Sequence, residues 1–212
     1  MEYVYAVDEA QEKIIGMLAE STGWKYLKSK RCLKKTVKDL VFEINFFSSK
    51  WNESHKSVEI NADFRISYKK YGKLPVDNII AFVEYRPDND KSVDGYWYDI
   101  STEKKLLDVY EELNAKMQET AVLVADSFEK NFDAATEKLF TEYFNEYSVH
   151  IDFVADILGV DAVREKAQEI YDNLTDIQRS QVIDYRNGDR SKAWMLNRNN
   201  LKYILDNNLV ET

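Results

Sequence analysis

The chain has 212 residues, 44% hydrophobic and 32% charged, with a formal net charge of -9, enough apolar material for a real core and too much for a disordered chain. No uncharged apolar run approaches the roughly 20 residues that cross a bilayer, and the charged N-terminus lacks a signal-peptide pattern, so a soluble cytoplasmic protein is expected. One cysteine and two histidines exclude an internal disulfide and the multi-cysteine zinc sites, and no metal or other cofactor is expected.

Six glycines and two prolines leave few tight turns and favour long elements. Val7, Ala10, Ile14, Met17 and Leu18 recur at spacings of three and four, which predicts an amphipathic helix ended by Gly23. Period two follows. Phe42, Ile44 and Phe46 alternate with Glu43 and Asn45, and after a turn near Asn52 to Ser54 the run from Val58 to Tyr68 alternates with Glu59, Asn61, Asp63, Arg65 and Ser67. Two further strands are predicted at residues 79–86 and 96–101, with the polar stretch from Pro87 to Gly95 as their hairpin loop.

Ser101 or Thr102 can cap a helix of roughly 28 residues, whose apolar stripe is Leu106, Tyr110, Leu113, Met117, Ala121, Val124 and Phe128. Only helices follow. Phe132 to Tyr147 predicts one, Ile151 to Leu158 a short one ended by Gly159, and Val160 to Leu174 another. Thr175 with Gln178 is a capping-box pattern opening a fifth, and residues 191–205 a last, interrupted near Asn197 to Asn200. The order predicts an α+β fold, with an α+β domain over residues 1–131 and a helical extension over 132–212 packed on it.

The Gly23-Trp24-Lys25 step after a helix, the Asn45-Phe46-Phe47 and Glu59-Ile60-Asn61 strand patterns, and the Trp97 strand feeding a long helix resemble an uncharacterised bacterial domain family of unknown function. The resemblance covers about residues 8 to 130. It implies the fold and, by association, an accessory, immunity or defence-related protein.

Charge is unevenly spread: through Pro75 there are 14 bases and 10 acids, whereas from Glu103 through Asp176 there are 18 acids and 7 bases. Acidic helix faces suit a basic partner protein, and they supply the first set of candidate residues: Glu111, Glu112, Glu119, Asp126, Glu129, Glu137, Glu142 and Glu146. The expected function is a non-enzymatic interaction protein of the inhibitor or immunity type. A second reading is nucleic-acid binding by the acid-free stripe from Lys25 to Lys38, with Lys30, Arg31, Lys34 and Lys35 on phosphates and Trp24 or Tyr26 stacking on bases; the plain alternative is a solvated edge hairpin.

A third reading is carboxylate catalysis on the polar face of the sheet, where alternation groups Glu43, Glu59, Asp63, Arg65, Glu84, Arg86 and Asp99. Asp90 to Gly95 has the acidic spacing of a calcium loop, but Ser101 at its twelfth position and flanking strands favour a solvated loop. Cys32 lies among cations that favour thiolate, without a histidine nearby in sequence, and is read as an ordinary small side chain. His150 beside an apolar helix start is read as structural.

Overall fold

The structure, a computed structural model, describes residues 3–71, 79–89, 96–144, 149–189, 191 and 200–210. It divides into two compact units: the first runs to Ala135, and the second comprises the described residues from Thr136 onward. The division therefore falls within a helix, four residues beyond Asn131.

In the first unit α1 (Val7–Thr22) buries Ala10, Ile14, Ile15 and Leu18. Gly23 ends it with φ 69°, a left-handed conformation that glycine adopts without a Cβ clash, and its N–H bonds to the carbonyl of Ala19. A six-stranded antiparallel sheet follows. Its strands are β1 (Lys25–Leu27), β2 (Cys32–Val37), β3 (Leu40–Ser48), β4 (Glu59–Tyr68), β5 (Ile79–Tyr85) and β6 (Tyr98–Asp99). The basic stretch thus contributes two strands, and β1 occupies the edge.

The predicted hairpin between residues 79–86 and 96–101 is corrected. Both strands lie along one edge of β4: β5 pairs from Ala62 to Ser67, and β6 takes Glu59 and Ile60. At ten residues β4 outlasts β5, so the free end of its ladder accepts β6, satisfying backbone groups that β5 leaves open. The loop from Asp90 to Gly95, with its calcium-like spacing, lies outside the described residues.

Alternation sorts the sheet into two faces. Leu33, Phe42, Ile44, Ile60, Phe64 and Ile66 are fully buried on the inner face. Trp24 is 5% exposed and packs edgewise or tilted on Phe42 and Phe64 at 6.4 and 6.3 Å, while Phe128 closes on Phe42 at 5.8 Å. Each such ring contributes about 1.5–3 kcal/mol through burial and the contacts somewhat more.

The long helix comprises α2 (Glu103–Met117), a π turn (Gln118–Val122) and α3 (Leu123–Lys130) without interruption. Thr102 stands at the N-cap position but makes no side-chain capping bond. The π turn has a sequence cause. The stripe takes two successive steps of four at Leu113, Met117 and Ala121, and each step overshoots one α-turn by about 40°. The step from Met117 to Ala121 lies in the π turn itself, whose wider turn takes up this overshoot, and Val124, Ala125 and Phe128 follow on the buried side. Thr120 anchors the widened turn by bonding the buried Tyr85 hydroxyl at 2.7 Å.

Helix α4 (Phe132–Thr141) straddles the division. The second unit holds α5 (Ile151–Leu158), a 3-10 turn (Val160–Val163), α6 (Arg164–Asp172), α7 (Asp176–Arg186) and α8 (Leu201–Asp206). Thr175 and Gln178 form the predicted capping box at the start of α7. Asn200, left-handed at φ 62°, starts α8, and its amide ties the turn to the backbone of Val149 and Ile151 at 3.0 and 3.2 Å. Among the described residues no helix is long and apolar enough to cross a membrane.

Candidate functional site

The acidic candidates separate by what they touch. On the long helix, Asp126 and Glu129 both pair with Lys35 of β2, at 2.8 and 3.1 Å. Glu112 accepts from Lys116 at 2.7 Å and from the backbone N–H of Asp88 at 2.9 Å. Glu142 pairs with Lys138 at 3.4 Å, and Glu146 lies outside the described residues. Glu111, Glu119 and Glu137 are exposed, and their carboxylates make no ion pair among the described residues. Exposed pairs hold weakly and leave the surface negative, but they do lower the number of carboxylates open to a partner.

Glu137 belongs to a built feature. Within the second unit, Phe140 and Thr141 of α4, Leu158 at the end of α5, Ala162, and Glu165, Lys166 and Glu169 of α6 surround with it a groove of about 580 Å³. Phe140 and Leu158 give it an apolar floor, and three glutamates stand at its rim. Lys166 is held inside this arrangement by Glu169 at 2.5 Å and by the ring of Phe144 at 5.2 Å. Glu165 and Glu169 escaped the sequence reading, although their i, i+4 spacing places them together on one side of α6.

The basic stripe does not remain one surface. Pairing sets Lys34 opposite Glu43 on the outer face of the sheet and Lys35 opposite Phe42 on the inner face. Lys34 then bonds Glu43 at 3.3 Å, while Lys35 is directed to Asp126 and Glu129. Arg31 pairs with Asp8 at 3.3 Å. Lys30 alone of the four named cations has no ion pair among the described residues. Trp24, expected as a stacking platform, is core: the turn at Gly23 folds its ring under the sheet, where no base can reach it. Tyr26, half-buried, shares the inner face through its pairing with Leu33.

The outer face carries the polar candidates in rows. Lys25, Lys34, Glu43, Arg65 and Phe82 stand side by side across five strands, and Leu27, Cys32, Asn45, Asp63 and Glu84 form the next row. Asp63 and Glu84 are thus directly opposed like charges, an arrangement that destabilises unless compensated. Arg65 supplies the compensation: its Nε and Nη2 donate to both oxygens of Asp63 at 2.5–3.1 Å, and Asn45 donates to Asp63 at 3.0 Å. The carboxylate is 7% exposed, and both of its oxygens accept from these donors. Glu59 and Asp99 pair farther along β4, where Lys105 binds Asp99 at 2.6 Å.

Around this pair lies a shallow concavity of about 250 Å³ lined by Phe47, Asn61, Asp63, Arg65, Phe82, Glu84 and Tyr96. The Arg65 guanidinium sits 5.8 Å from the Phe47 ring and 5.5 Å from that of Phe82. Arg86 lies over Tyr96 at 4.6 Å and reaches Glu84 at 3.4 Å. Burial, and then donation to Glu84, push the Tyr96 hydroxyl up to about 12. Asn61 and Phe47 oppose one another in the register. The alternation that grouped Asp63 with Arg65 already put both on this face.

Cys32 is 1% exposed. Burial, aided by Glu43, raises its thiol against the opposing pull of Lys30 and Lys34, so the neighbouring cations do not produce a thiolate. Among the described residues no group of histidine, cysteine and carboxylate side chains is arranged to hold a metal ion. Fold and sites together define an α+β chain with an acid-rimmed helical groove and a separate polar concavity on its sheet. Comparison with protein-family models, curated proteins and solved structures finds no match.

Proposed function

We propose that the protein is a non-enzymatic, cytoplasmic interaction protein of the inhibitor or immunity type, binding a basic partner protein through its acidic helices. The groove bounded by α4, α5 and α6 carries this reading. Its apolar floor of Phe140 and Leu158 under Glu137, Glu165 and Glu169 suits a segment that offers apolar side chains on one side and Lys or Arg at its margins. In the first unit, the exposed Glu111 and Glu119 add to the net negative charge that raises the encounter rate with a basic partner. The inhibitor or immunity character rests on the family resemblance and on the ability of an acidic surface to occupy a site built for nucleic acid.

Nucleic-acid binding is less well supported, since Trp24 is inaccessible and the cations of β2 divide between two faces. The test is affinity capture from the source cells at low and at high salt. One basic protein recovered at low salt and released by salt is the expected result, because screening weakens a charge-steered complex. Recovery of no protein partner at low salt contradicts the proposal.

A further inference from the structure

The loop between β3 and β4 is ordered by its own hydrogen bonds. The Asn52 carboxamide donates to the Glu59 carbonyl at 2.8 Å and accepts from the Glu59 N–H at 2.7 Å, so it copies one further rung of the β3 and β4 ladder. The Trp51 N–H donates to Ser49 Oγ at 3.2 Å. Glu53 and Ser57 exchange backbone bonds at 3.0 and 2.9 Å, and the His55 N–H donates to the Tyr5 carbonyl at 3.0 Å. On this support stands Trp51, 76% exposed, the most exposed large apolar side chain among the described residues. A tryptophan whose backbone is ordered before any partner arrives has the character of an interface anchor.

The charge beside it is positive. Lys56 pairs with Glu53, whereas Lys50, with its ammonium 5.0 Å from the centre of the Trp51 ring, makes no ion pair among the described residues. The groove of the second unit presents the complement. Phe140 and Leu158 form its floor. Glu169 is engaged by Lys166, but Glu137 on α4 and Glu165 on α6 make no ion pair among the described residues. Its helical walls run from Glu137 to Thr141 and from Glu165 to Glu169, four residue steps or about 6 Å each. Walls of that length receive a protruding tip of one or two residues and are too short for the i, i+3, i+4, i+7 face of a docked helix.

We propose that the β3 to β4 tip of a second copy of this chain docks in the groove, with the Trp51 ring on Phe140 and Leu158 and the Lys50 ammonium between Glu137 and Glu165. This rests on the reading of the groove as a docking site and adds its regulation. The two surfaces differ, so the contact is head to tail, and each docked pair keeps one tip and one groove open. Association therefore continues to rings or open chains of molecules and does not stop at a two-fold pair. A basic partner and a second copy compete for one groove, and the partner disperses the self-associated form.

The experiment is sedimentation velocity of the purified full chain at rising concentration, at low and at high salt. Association beyond dimers at low salt, weakened by high salt, is expected. Trp51→Ser and Glu137→Lys/Glu165→Lys should each weaken it about tenfold or more, as for loss of an interface hot spot. The first variant keeps its groove and the second its tip, so an equimolar mixture should form a species that stops at two molecules, and its appearance shows that both variants are folded. A wild-type chain that stays monomeric throughout overturns the proposal. Undiminished association of either variant, or a mixture that forms no pair, overturns it equally. Only the purified chain is present, so these outcomes are separate from recovery of a basic partner from cells, on which the reading of the groove itself stands or falls.

Discussion

Asp63 illustrates how a charge is kept inside a sheet. A carboxylate at 7% exposure survives because Arg65 and Asn45 supply four donor contacts from neighbouring positions. Replacing Asp63 by alanine strips Arg65 of its partner, although it also removes the like charge directly opposite Glu84. Arg65 remains one-third exposed, so water relieves part of the loss, and the expected cost is about 2–3 kcal/mol in chemical denaturation, toward the lower end for a broken buried pair. Lys104→Ala, which removes an exposed pair with Asp108, should leave the unfolding midpoint unchanged in the same experiment. His150 gives a second prediction at this scale. Burial depresses its pKa below the usual 6.5, outweighing the attraction of Asp152. The unfolded chain therefore takes up a proton as pH falls through about 6.5 while the folded chain does not, and stability declines over that window until the folded imidazole is protonated too. Denaturation at pH 7.5 and 5.5 should show this decline for the wild-type chain and a smaller one for His150→Gln; identical pH dependence would contradict the burial of the imidazole.

At the scale of elements, the register of β4 is the most constrained feature of the first unit. Ile60 and Phe64 are fully buried on the inner face, so Ile60→Asp places an unpaired charge in the core at a cost of several kcal/mol. Loss of cooperative unfolding by circular dichroism is expected; a stable, monodisperse variant would mean that the strand faces the other way. This register was legible because ten residues of strict alternation admit only one choice of buried face. Helix ends at Gly23, Gly159 and Thr175 were legible for an equally local reason, the conformational freedom of glycine and the reciprocal bonds of the capping box. The pairing of β6 with β4 was not, because strand partners depend on which edge remains free after the others have paired. The π turn was visible only as two successive steps of four in the stripe. Trp24 was misread because an aromatic residue just after a turn has no periodicity of its own to show which face it takes.

For the whole molecule, local charge counts overstated the basic stripe and spread the acidic set too widely. Lys35 with Asp126 and Glu129 unites the two within one unit: residues about ninety apart in sequence neutralise one another, which no local count can reveal. What remains is an acidic chain whose uncommitted carboxylates include Glu137 at the rim of an apolar-floored groove. Binding of the captured partner should depend on that rim more than on net charge. The most direct measurement compares partner affinity, at one fixed ionic strength, for the wild-type chain, for Glu137→Gln/Glu165→Gln/Glu169→Gln, and for Glu111→Gln/Glu119→Gln as a control on overall charge. The account predicts a loss of about a hundredfold for the groove variant, as for several charge-assisted contacts removed together, and only a modest slowing of association for the helix variant. Wild-type affinity in the groove variant, with circular dichroism showing an intact fold, would contradict it.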